Sequence, residues 1–422
     1  MIDKIYCCID LKSFYASVEC VERGLDPFKV NLVVADPDRS QGTVCLAISP
    51  AMKSLGVKNR CRVFEIPKNI EYITAKPRMK LYMDKSAEIY SIYLRFISAD
   101  DIHVYSVDEV FIDLTDYIKL YKKSAKEIAK MLIDEVFKTT GIRATVGIGT
   151  NLFLAKIALD ITAKHAKDFM GYLDEDLFRK TLWHHKPLTD FWNVGHGITE
   201  RLAKMGIFDL YGVTKCPEKI LYKEFGVNAE LLIDHAYGKE SCTIADIHAY
   251  KAKSNSVSNG QILFSDYRFD DGLIILKEMS ENLVLEIVEK YLVTNSIVLD
   301  VGFADRSAKH VGGTVKLSEY TNSSKIIVQE FIDLYRKKVP ANALIRRINV
   351  GLNGLISEDY LTYDLLSDRE SIKRENVLQH AVADIKHKYS KNSILKGTSY
   401  QEKATQRDRN KMIGGHNGGE TV

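Results

Sequence analysis

The sequence predicts an α+β protein of several domains. Its 422 residues are too many for one hydrophobic core, and the usual domain size gives about three domains. Two stretches, near 1–165 and 254–354, alternate strand-like apolar runs with amphipathic helices, and a largely helical stretch lies between them. The 45% apolar and 27% charged residues are typical of a soluble globular protein.

The first stretch predicts strands separated by helices. The expected strands are 4–9, 31–34, 43–48, 102–107, 110–114 and 143–148. Apolar residues recur at helical spacing over 125–136, which predicts an amphipathic helix between the last two strands. The glycine-rich segment 147–151 then ends the last strand and starts a helix that runs through Leu154, Ile157, Ala158 and Ile161.

Residues 166–240 lose strand character and predict short helices joined by tight turns. The segment Val-Gly-His-Gly-Ile at 194–198 is typical of a helix-hairpin-helix. In that motif Gly195 and Gly197 would leave backbone N–H groups free for a DNA phosphate. A plain turn between two helices is the alternative. A polar, mixed stretch near 248–255 predicts a linker, which we place at 241–253.

The second α/β stretch, 254–354, has the predicted order βαββαβ. Basic residues accumulate in and beside it, namely Lys251, Lys253, Arg268, Arg306, Lys309, Lys316, Arg346 and Arg347. On exposed sheet positions they would follow a phosphate backbone, and a solvated basic surface is the alternative. Residues 355–422 are polar, with glycines near the end, and predict a partly flexible tail.

Charge and cysteine usage narrow the class of protein. The net charge of +3 is too small to indicate nucleic-acid binding by itself. The seven scattered cysteines include no C-x-x-C pair, and no apolar run has the length of a membrane span or the pattern of a signal peptide. We therefore expect a reduced, cytoplasmic protein that does not act in a membrane.

Acidic residues at the ends of strand-like runs indicate the chemistry. Asp10 ends the run 5–9, and Asp108 and Glu109 lie in Ser-Val-Asp-Glu between two apolar runs. Buried acids need a cation, and their oxygens suit Mg²⁺. Because successive strand residues face opposite sides, a hairpin turn or bulge is predicted beside Asp108 and Glu109. Such a site would catalyse phosphoryl or nucleotidyl transfer, whereas capping of surface turns is the alternative.

The segments 10–19, Asp-Leu-Lys-Ser-Phe-Tyr-Ala-Ser-Val-Glu, and 106–109 resemble the two metal-binding motifs of the Y-family translesion DNA polymerases. The whole chain is similar to their UmuC-like branch, of the Gram-positive type. The resemblance implies a right-hand polymerase whose domains are a ferredoxin-like βαββαβ palm (1–17 and 76–165), small fingers (18–75), a helical thumb (166–240) and a βαββαβ little finger domain (254–354). It also implies low-fidelity, two-metal-ion addition of dNTPs to a primer 3′-hydroxyl in SOS damage tolerance, without proofreading.

The resemblance also implies site residues. The ligands of two Mg²⁺ ions, for which Mn²⁺ would substitute, would be Asp10, the Leu11 carbonyl, Asp108 and Glu109. Tyr15 would be the steric gate that excludes a 2′-hydroxyl, with Phe14 beside it; a core aromatic on a helix is the alternative. Lys53, where many relatives have arginine, and Lys164, otherwise a solvated helix end, would bind the triphosphate. DNA contacts are expected at Gly195, Gly197, Lys253, Arg306, Lys316 and Arg346.

The expected partners are primer-template DNA, dNTPs and the sliding clamp. The segment Thr-Tyr-Asp-Leu-Leu at 362–366 resembles a degenerate clamp-binding peptide, in which Tyr363, Leu365 and Leu366 would dock; an amphipathic turn is the alternative. UmuC-like polymerases can also depend on an accessory subunit and a recombinase filament, which the sequence leaves open. Two other functions remain at this point, a nucleotide cyclase and a catalytically inactive DNA-binding or clamp-binding scaffold.

Overall fold

The computed structural model describes residues 4–40, 42–252, 255–305, 307–361 and 369–419. The chain divides into two compact units, Met1–Tyr250 with Asn417–Val422, and Lys251–His416. Within the described ranges, no helix has both the length and the apolar character that crossing a bilayer requires.

The first unit alternates strands and helices up to residue 173 and is helical beyond it. Its elements in chain order are β1 (Tyr6–Leu11), α1 (Phe14–Val21), β2 (Leu32–Val34), β3 (Ala47–Ile48), α2 (Pro50–Ser54), β4 (Ile73–Ala75), α3 (Met79–Tyr93), β5 (Ile102–Val104), β6 (Glu109–Asp113), α4 (Thr115–Tyr121), α5 (Ala125–Thr140), β7 (Ala144–Gly149), α6 (Leu152–Ile157), a π-helical turn (Ala158–Thr162), β8 (Met170–Leu173), α7 (Glu175–Leu182), α8 (His196–Lys204), α9 (Leu210–Lys215), α10 (Glu218–Phe225), α11 (Asn228–Ala236) and α12 (Ile244–Ala249).

The main sheet of the first unit has the strand order β5-β6-β1-β7-β8. Neighbouring strands are antiparallel except for the parallel pair β7 and β8. The succession β1-α3-β5-β6-α5-β7 is a βαββαβ unit with ferredoxin-like strand order, as predicted. A second, smaller sheet has the order β3-β2-β4 and its own core around Val33, Ile48 and Met52.

Helix α5 illustrates how local sequence sets an element. Ser124 accepts a hydrogen bond from the Glu127 N–H, and the Glu127 side chain accepts one from the Ser124 N–H, which forms a capping box. The helix buries a face at helical spacing that includes Ile128 and Leu132, and it ends at Gly141, whose φ of 71° suits glycine. The predicted helix is therefore confirmed.

Strand β8 corrects one expectation, because the sequence predicted no strand within 166–240. Residues Met170–Leu173 pair in parallel with β7 and extend the main sheet. A run of this length among polar residues gives too weak a period-2 signal to be recognised. Helices α7 to α11 follow it around a shared apolar core that includes Phe178, Leu202 and Leu221.

The second unit repeats the order βαββαβ and then adds a C-terminal segment. Its elements are β9 (Ser256–Tyr267), α13 (Phe269–Glu289), β10 (Leu292–Phe303), β11 (Val311–Thr321), α14 (Ser324–Lys338), β12 (Ile345–Asn353), β13 (Ile356–Ser357), α15 (Arg369–Lys388) and α16 (Gln406–Arg409), followed by the short strands β14 (Met412–Ile413) and β15 (His416–Asn417). The antiparallel sheet has the order β11-β10-β12-β9. Helices α13 and α14 share one core with alternate strand residues such as Leu299 and Val350, so they cover one face of the sheet.

The predicted linker over 241–253 is wrong in part. Helix α12 lies within it, started by a capping box between Thr243 and Asp246. Ile244 is buried in a cluster that includes Cys8 and Phe111. The helix is therefore packed onto the main sheet, and the boundary between the two units follows it at Tyr250.

The predicted tail over 355–422 is also largely structured. Glu375 of α15 accepts hydrogen bonds from the Ser323 hydroxyl at 2.6 Å and the Lys325 N–H at 3.0 Å. Glu278 of α13 accepts them from the backbone N–H groups of Thr405 and Gln406 at 2.9 and 3.1 Å. Contacts of this kind, between a carboxylate and backbone N–H groups, cannot be recognised from a hydrophobic pattern in the sequence. The clamp-peptide residues Tyr363, Leu365 and Leu366 lie outside the described residues.

Glycines in β7 allow α6 and the π-helical turn to lie directly on the strand. A Cβ at Gly147 would lie 2.1 Å from the Leu159 nitrogen and 2.2 Å from the Ala155 oxygen, and one at Gly149 would lie 2.2 Å from the Ala155 nitrogen. Backbone atoms cannot move aside as a flexible side chain would. The Gly-Ile-Gly sequence is therefore a packing requirement.

We expect Gly147→Ala to lower the free energy of unfolding by about 3 kcal/mol, because the new methyl group overlaps backbone. Urea unfolding followed by circular dichroism measures it. Gly197→Ala in α8 is the matched control, since its Cβ meets no heavy atom of the described residues within 4 Å. The control should stay within about 1 kcal/mol of the parent, on the stabilising side. Equal losses in the two variants would contradict the packing argument.

Candidate active site

Asp10 and Glu109 lie opposite each other on neighbouring strands. The antiparallel register of β1 and β6 pairs these two residues. Directly opposed residues of this kind have Cβ atoms about 5 Å apart and point to the same face. Asp108 immediately precedes β6, and its carbonyl accepts the Leu11 N–H at 2.9 Å. The carboxylates thus meet at one end of the sheet.

A tight turn between β5 and β6 carries Asp108. The N–H groups of Tyr105 and Ser106 both donate to the Glu109 carbonyl, at 2.9 and 3.0 Å. The Ser106 hydroxyl donates to the Asp108 carboxylate at 2.7 Å. The predicted hairpin turn is therefore present. It places Asp108 outside the strand, which removes the alternation that would send it away from Glu109.

Negative charge accumulates at this end of the sheet. Burial raises the pKa of Asp10 to about 7, and the charges of Asp108 and Glu109 contribute to the rise. Neighbouring carboxylates disfavour one another's ionised forms unless a cation lies among them. The three carboxylates therefore supply hard oxygen donors, and a divalent cation among them would relieve their mutual repulsion.

Lys156 of α6 neutralises one of the carboxylates. Its ammonium lies 2.7 Å from Glu109 Oε1 and 3.1 Å from Asp160 Oδ2, and the Cys8 thiol donates to the same Glu109 oxygen at 3.0 Å. Burial alone would lower the pKa of Lys156, but the acidic groups Cys8, Glu109 and Asp160 raise it overall. The side chains of Lys156 and Glu109 are each 10% exposed.

The sequence analysis missed Lys156, although a signal was present. The run 152–159, Leu-Phe-Leu-Ala-Lys-Ile-Ala-Leu, is otherwise apolar and therefore fully buried. Lysine is rarely buried unless it is paired. A lysine within such a helix thus indicates a buried acid nearby, which here is Glu109.

The donor set fits a divalent cation, but two side chains have other partners. Among the described residues, no group of three or more His, Cys, Asp or Glu side chains is arranged to hold a metal ion. Glu109 is turned toward Lys156, and Asp108 toward Ser106. The predicted ligand set would need both carboxylates to turn toward Asp10.

Lysines lie near the carboxylates, where a triphosphate would need them. Burial lowers the pKa of Lys12, and the charges of Lys53 and Lys164 lower it further, while Asp10 opposes them. Lys53 likewise has its pKa lowered by burial and by Lys164. Lys12, Lys53 and Lys164 therefore lie close enough to interact through their charges, and Asp10 interacts with Lys12 and Lys53. We call these three lysines the lysine cluster. The sequence analysis missed Lys12.

Lys164 is the most accessible member of this lysine cluster. Its side chain is 60% exposed and lies 3.6 Å from Asp160. It follows the π-helical turn Ala158–Thr162, and a π-helical turn accommodates one residue more than an α-helical turn does. Lys12 packs instead over the ring of Phe169 at 4.4 Å.

Tyr15 lies at the edge of the site with its ring on Tyr82. The ring centroids are 4.5 Å apart and the planes differ by 17°. Burial raises the pKa of Tyr15, and the charge of Asp108 contributes, which shows that the phenol lies near the carboxylates. Phe14 is 2% exposed and belongs to the core behind Tyr15, so a direct substrate contact by Phe14 stays a prediction.

The predicted DNA contacts lie in both units. Gly195 caps α8, and a Cβ at Gly195 or Gly197 would meet no heavy atom of the described ranges within 4 Å, so packing within those ranges does not require glycine. Lys316 on β11 is exposed, whereas Arg346 is paired with Asp266 at 3.2 Å. Lys253 and Arg306 lie outside the described residues.

The ferredoxin-like sheet ends in carboxylates and has a cluster of lysines beside them. This arrangement is typical of enzymes that transfer nucleotidyl groups. A family model described as the impB/mucB/samB family matches residues 9–160, and one for its C-terminal domain matches 254–365. The chain belongs to this family, the UmuC-like Y-family DNA polymerases.

Known proteins are similar in sequence to this one over nearly its whole length. A relative named as a UV-damage repair protein, UvrX of Bacillus subtilis, is 32% identical over 419 residues, which cover 97% of this chain and 96% of the relative. DNA polymerase IV 2 of the same organism is 29% identical over 420 residues, 99% of each chain. The fold resembles a Y-family DNA polymerase chimera of Dbh and Dpo4, with a TM-score of 0.65, 20% identity and coverage of 84% of this chain and 99% of that one.

We expect Lys156→Met to lower the free energy of unfolding by about 3–5 kcal/mol in the presence of a chelator, because Glu109 is left buried without a counter-charge. Urea unfolding measures the loss, and added Mg²⁺ should restore part of it. Lys164→Met is the matched control, since that lysine contacts the same Asp160 but is exposed. It should change stability by less than about 0.5 kcal/mol. Equal effects of the two substitutions would contradict the role of Lys156.

Proposed function

We propose that this protein is a DNA-directed DNA polymerase that extends a primer 3′-hydroxyl across damaged template at low fidelity, in SOS damage tolerance. One observation carries the proposal: Asp10, Asp108 and Glu109 meet at the end of a ferredoxin-like sheet, beside the lysine cluster of Lys12, Lys53 and Lys164. Membership of the family and relatives named DNA polymerase IV support it.

Membership of this family implies dependence on divalent metal. The proposed ligands are Asp10, Asp108, Glu109 and the Leu11 carbonyl, and the proposed cofactor is two Mg²⁺ ions, for which Mn²⁺ can substitute. When bound, the metal supplies charge neutralisation and activation of the primer hydroxyl. The chain itself contributes the orientation of the ligands, since the hairpin turn and the β1–β6 register fix the backbone of each acid.

The lysine cluster is proposed to hold the triphosphate. An ammonium whose pKa is lowered by burial and by like charges gains most from an anionic partner. Lys12 and Lys53 meet this condition, and Lys164 lies close enough to lower the pKa of both. Lysine supplies a point charge without the bidentate geometry of arginine. The lysine cluster would therefore neutralise the triphosphate but orient it less strictly than arginines would.

DNA is proposed to bind at each unit through phosphate contacts. In the first unit, Gly195 and Gly197 begin an exposed helix and would offer backbone N–H groups. In the second unit, Lys316 and Arg347 are exposed on the sheet and would contact phosphates, while the ion pair with Asp266 makes Arg346 less available. Asp300, bonded to Asn349 at 2.7 Å, adds a negative charge to that sheet.

The two alternative functions explain fewer observations. A nucleotide cyclase would need neither a glycine-started helix nor a basic second unit. A catalytically inactive scaffold would not need the acids and lysines gathered at one sheet end. Binding to the sliding clamp through 362–366, dependence on an accessory subunit or recombinase filament, and a cytoplasmic location remain parts of the proposal.

We expect Asp108→Ala to lower primer extension by about a hundredfold or more, because a proposed metal ligand is lost at the reacting centre. Extension of a labelled primer with dNTPs and Mg²⁺ measures it, and fluorescence anisotropy measures duplex binding, which should be nearly unchanged. Asp116→Ala is the control, because that exposed acid lies in the first turn of α4. Cyclic nucleotide formation without primer elongation by the parent protein would sink the proposed function.

We expect Lys12→Ala to raise the KM for dNTPs about tenfold, the effect of losing one hydrogen bond to a charged group. Steady-state extension with varied dNTP at saturating primer-template measures it. Lys29→Ala is the control, because the Lys29 side chain is 82% exposed and pairs loosely with Asp26 at 3.9 Å. An unchanged KM in the Lys12 variant would remove that residue from the triphosphate site.

A further inference from the structure

Glu19 of α1 is a fully buried carboxylate for which the proposed chemistry has no use. It is 0% exposed. Arg78 donates to both of its oxygens, from Nε to Oε1 at 3.0 Å and from Nη2 to Oε2 at 2.7 Å. Arg23 donates to Oε2, and the Tyr82 hydroxyl donates to Oε1 at 2.7 Å. Each oxygen therefore accepts two hydrogen bonds.

This network keeps Glu19 ionised. Burial alone would raise the pKa of the carboxyl, but hydrogen bonds from Arg78, Arg23 and Tyr82 lower it overall. A buried carboxylate is tolerated where it is paired and its remaining lone pairs are satisfied. Hydrogen bonds to charged groups are also shorter and stronger than neutral ones. The Tyr82 hydroxyl is consequently fixed to a strong and immobile acceptor.

Tyr82 connects the fixed carboxylate of Glu19 to Tyr15 at the candidate active site. Its side chain is 0% exposed, and its ring stacks on Tyr15 with centroids 4.5 Å apart. Tyr15 and Glu19 are four residues apart on α1 and share one face of that helix. Helix α1 thus carries both Tyr15 and Glu19. Glu19 binds the hydroxyl of Tyr82, and the ring of Tyr82 stacks on Tyr15.

We propose that Glu19 is a positioning residue for sugar selection, acting through the hydroxyl of Tyr82. A steric gate excludes a 2′-hydroxyl only if its ring cannot tilt or slide away from the sugar. Stacking alone is weakly directional, whereas a stacked ring whose hydroxyl is bonded to a fixed carboxylate resists both movements. This inference rests on the proposed function and on Tyr15 as the gate.

Neutralisation of Glu19 does not account for its hydrogen bond from Tyr82. The two arginines already balance the charge of Glu19, so the Tyr82 hydroxyl is not needed for neutralisation. Tyr82→Phe is therefore an informative substitution. It removes the hydroxyl and keeps the ring, the carboxylate and both arginines in place.

We expect Tyr82→Phe to lower the ratio of kcat/KM for a dNTP to that for the matching rNTP about tenfold. The loss should come from faster ribonucleotide incorporation, with kcat/KM for the dNTP within about threefold of the parent. Glu19→Gln is the second variant and should shift the ratio in the same direction. Tyr90→Phe, a tyrosine about two turns further along α3, is the matched control, and Tyr15→Ala marks full loss of the gate.

The outcomes separate the inference from the function on which it rests. If the parent protein does not extend a primer with dNTPs, the proposed function fails. If the parent extends but Tyr82→Phe leaves the sugar ratio unchanged, the positioning role is overturned while the polymerase function stands. An equal fall of both efficiencies, together with a lower free energy of unfolding, would assign Glu19 and Tyr82 to folding and would also overturn the inference.

Discussion

The candidate active site depends on the buried ion pair between Glu109 and Lys156. A carboxylate at this end of the sheet, beside two further acids, would be costly to bury without a cation. Lys156 reaches it because α6 lies directly on β7, and that contact requires Gly147 and Gly149. The glycines, the helix and the ion pair therefore form one constraint, which holds the catalytic end of the sheet together in the absence of metal.

The acids of the site and the turn beside them were predictable, but the strand register that pairs them was not. Asp10, Asp108 and Glu109 each end or interrupt an apolar run, which is a local signal that the sequence shows directly. The pairing of Asp10 with Glu109 depends on strand register, which residues about a hundred positions apart decide together. Lys12 was missed for the same reason, since its role depends on lysines that only the fold brings near it.

Segments held by polar contacts were the least predictable parts of the fold. Hydrophobic periodicity predicted α5 and the βαββαβ order of the second unit, because those elements bury one apolar face, whereas the βαββαβ order of the first unit was implied by the family resemblance. The C-terminal segment is held in part by Glu278 and Glu375, which accept hydrogen bonds from backbone N–H groups. The capping box at Thr243 and Asp246 was visible in the sequence and could have revealed α12.

Two of the buried carboxylates described in the first unit, Glu109 and Glu19, are paired with different cations, and the difference suits their proposed roles. Glu109 is held by the Cys8 thiol and by one lysine, a point charge on a flexible chain that the proposed divalent cation would replace. Glu19 is held by two arginines and a tyrosine, with the Arg78 guanidinium contacting both oxygens, so it has no free lone pair to offer a metal. A carboxylate with an exchangeable counter-ion is suited to be a metal ligand. A carboxylate whose hydrogen bonds are all satisfied is suited to hold a neighbouring side chain in place. The same chemical group would therefore serve metal binding at Glu109 and the positioning of Tyr82 at Glu19.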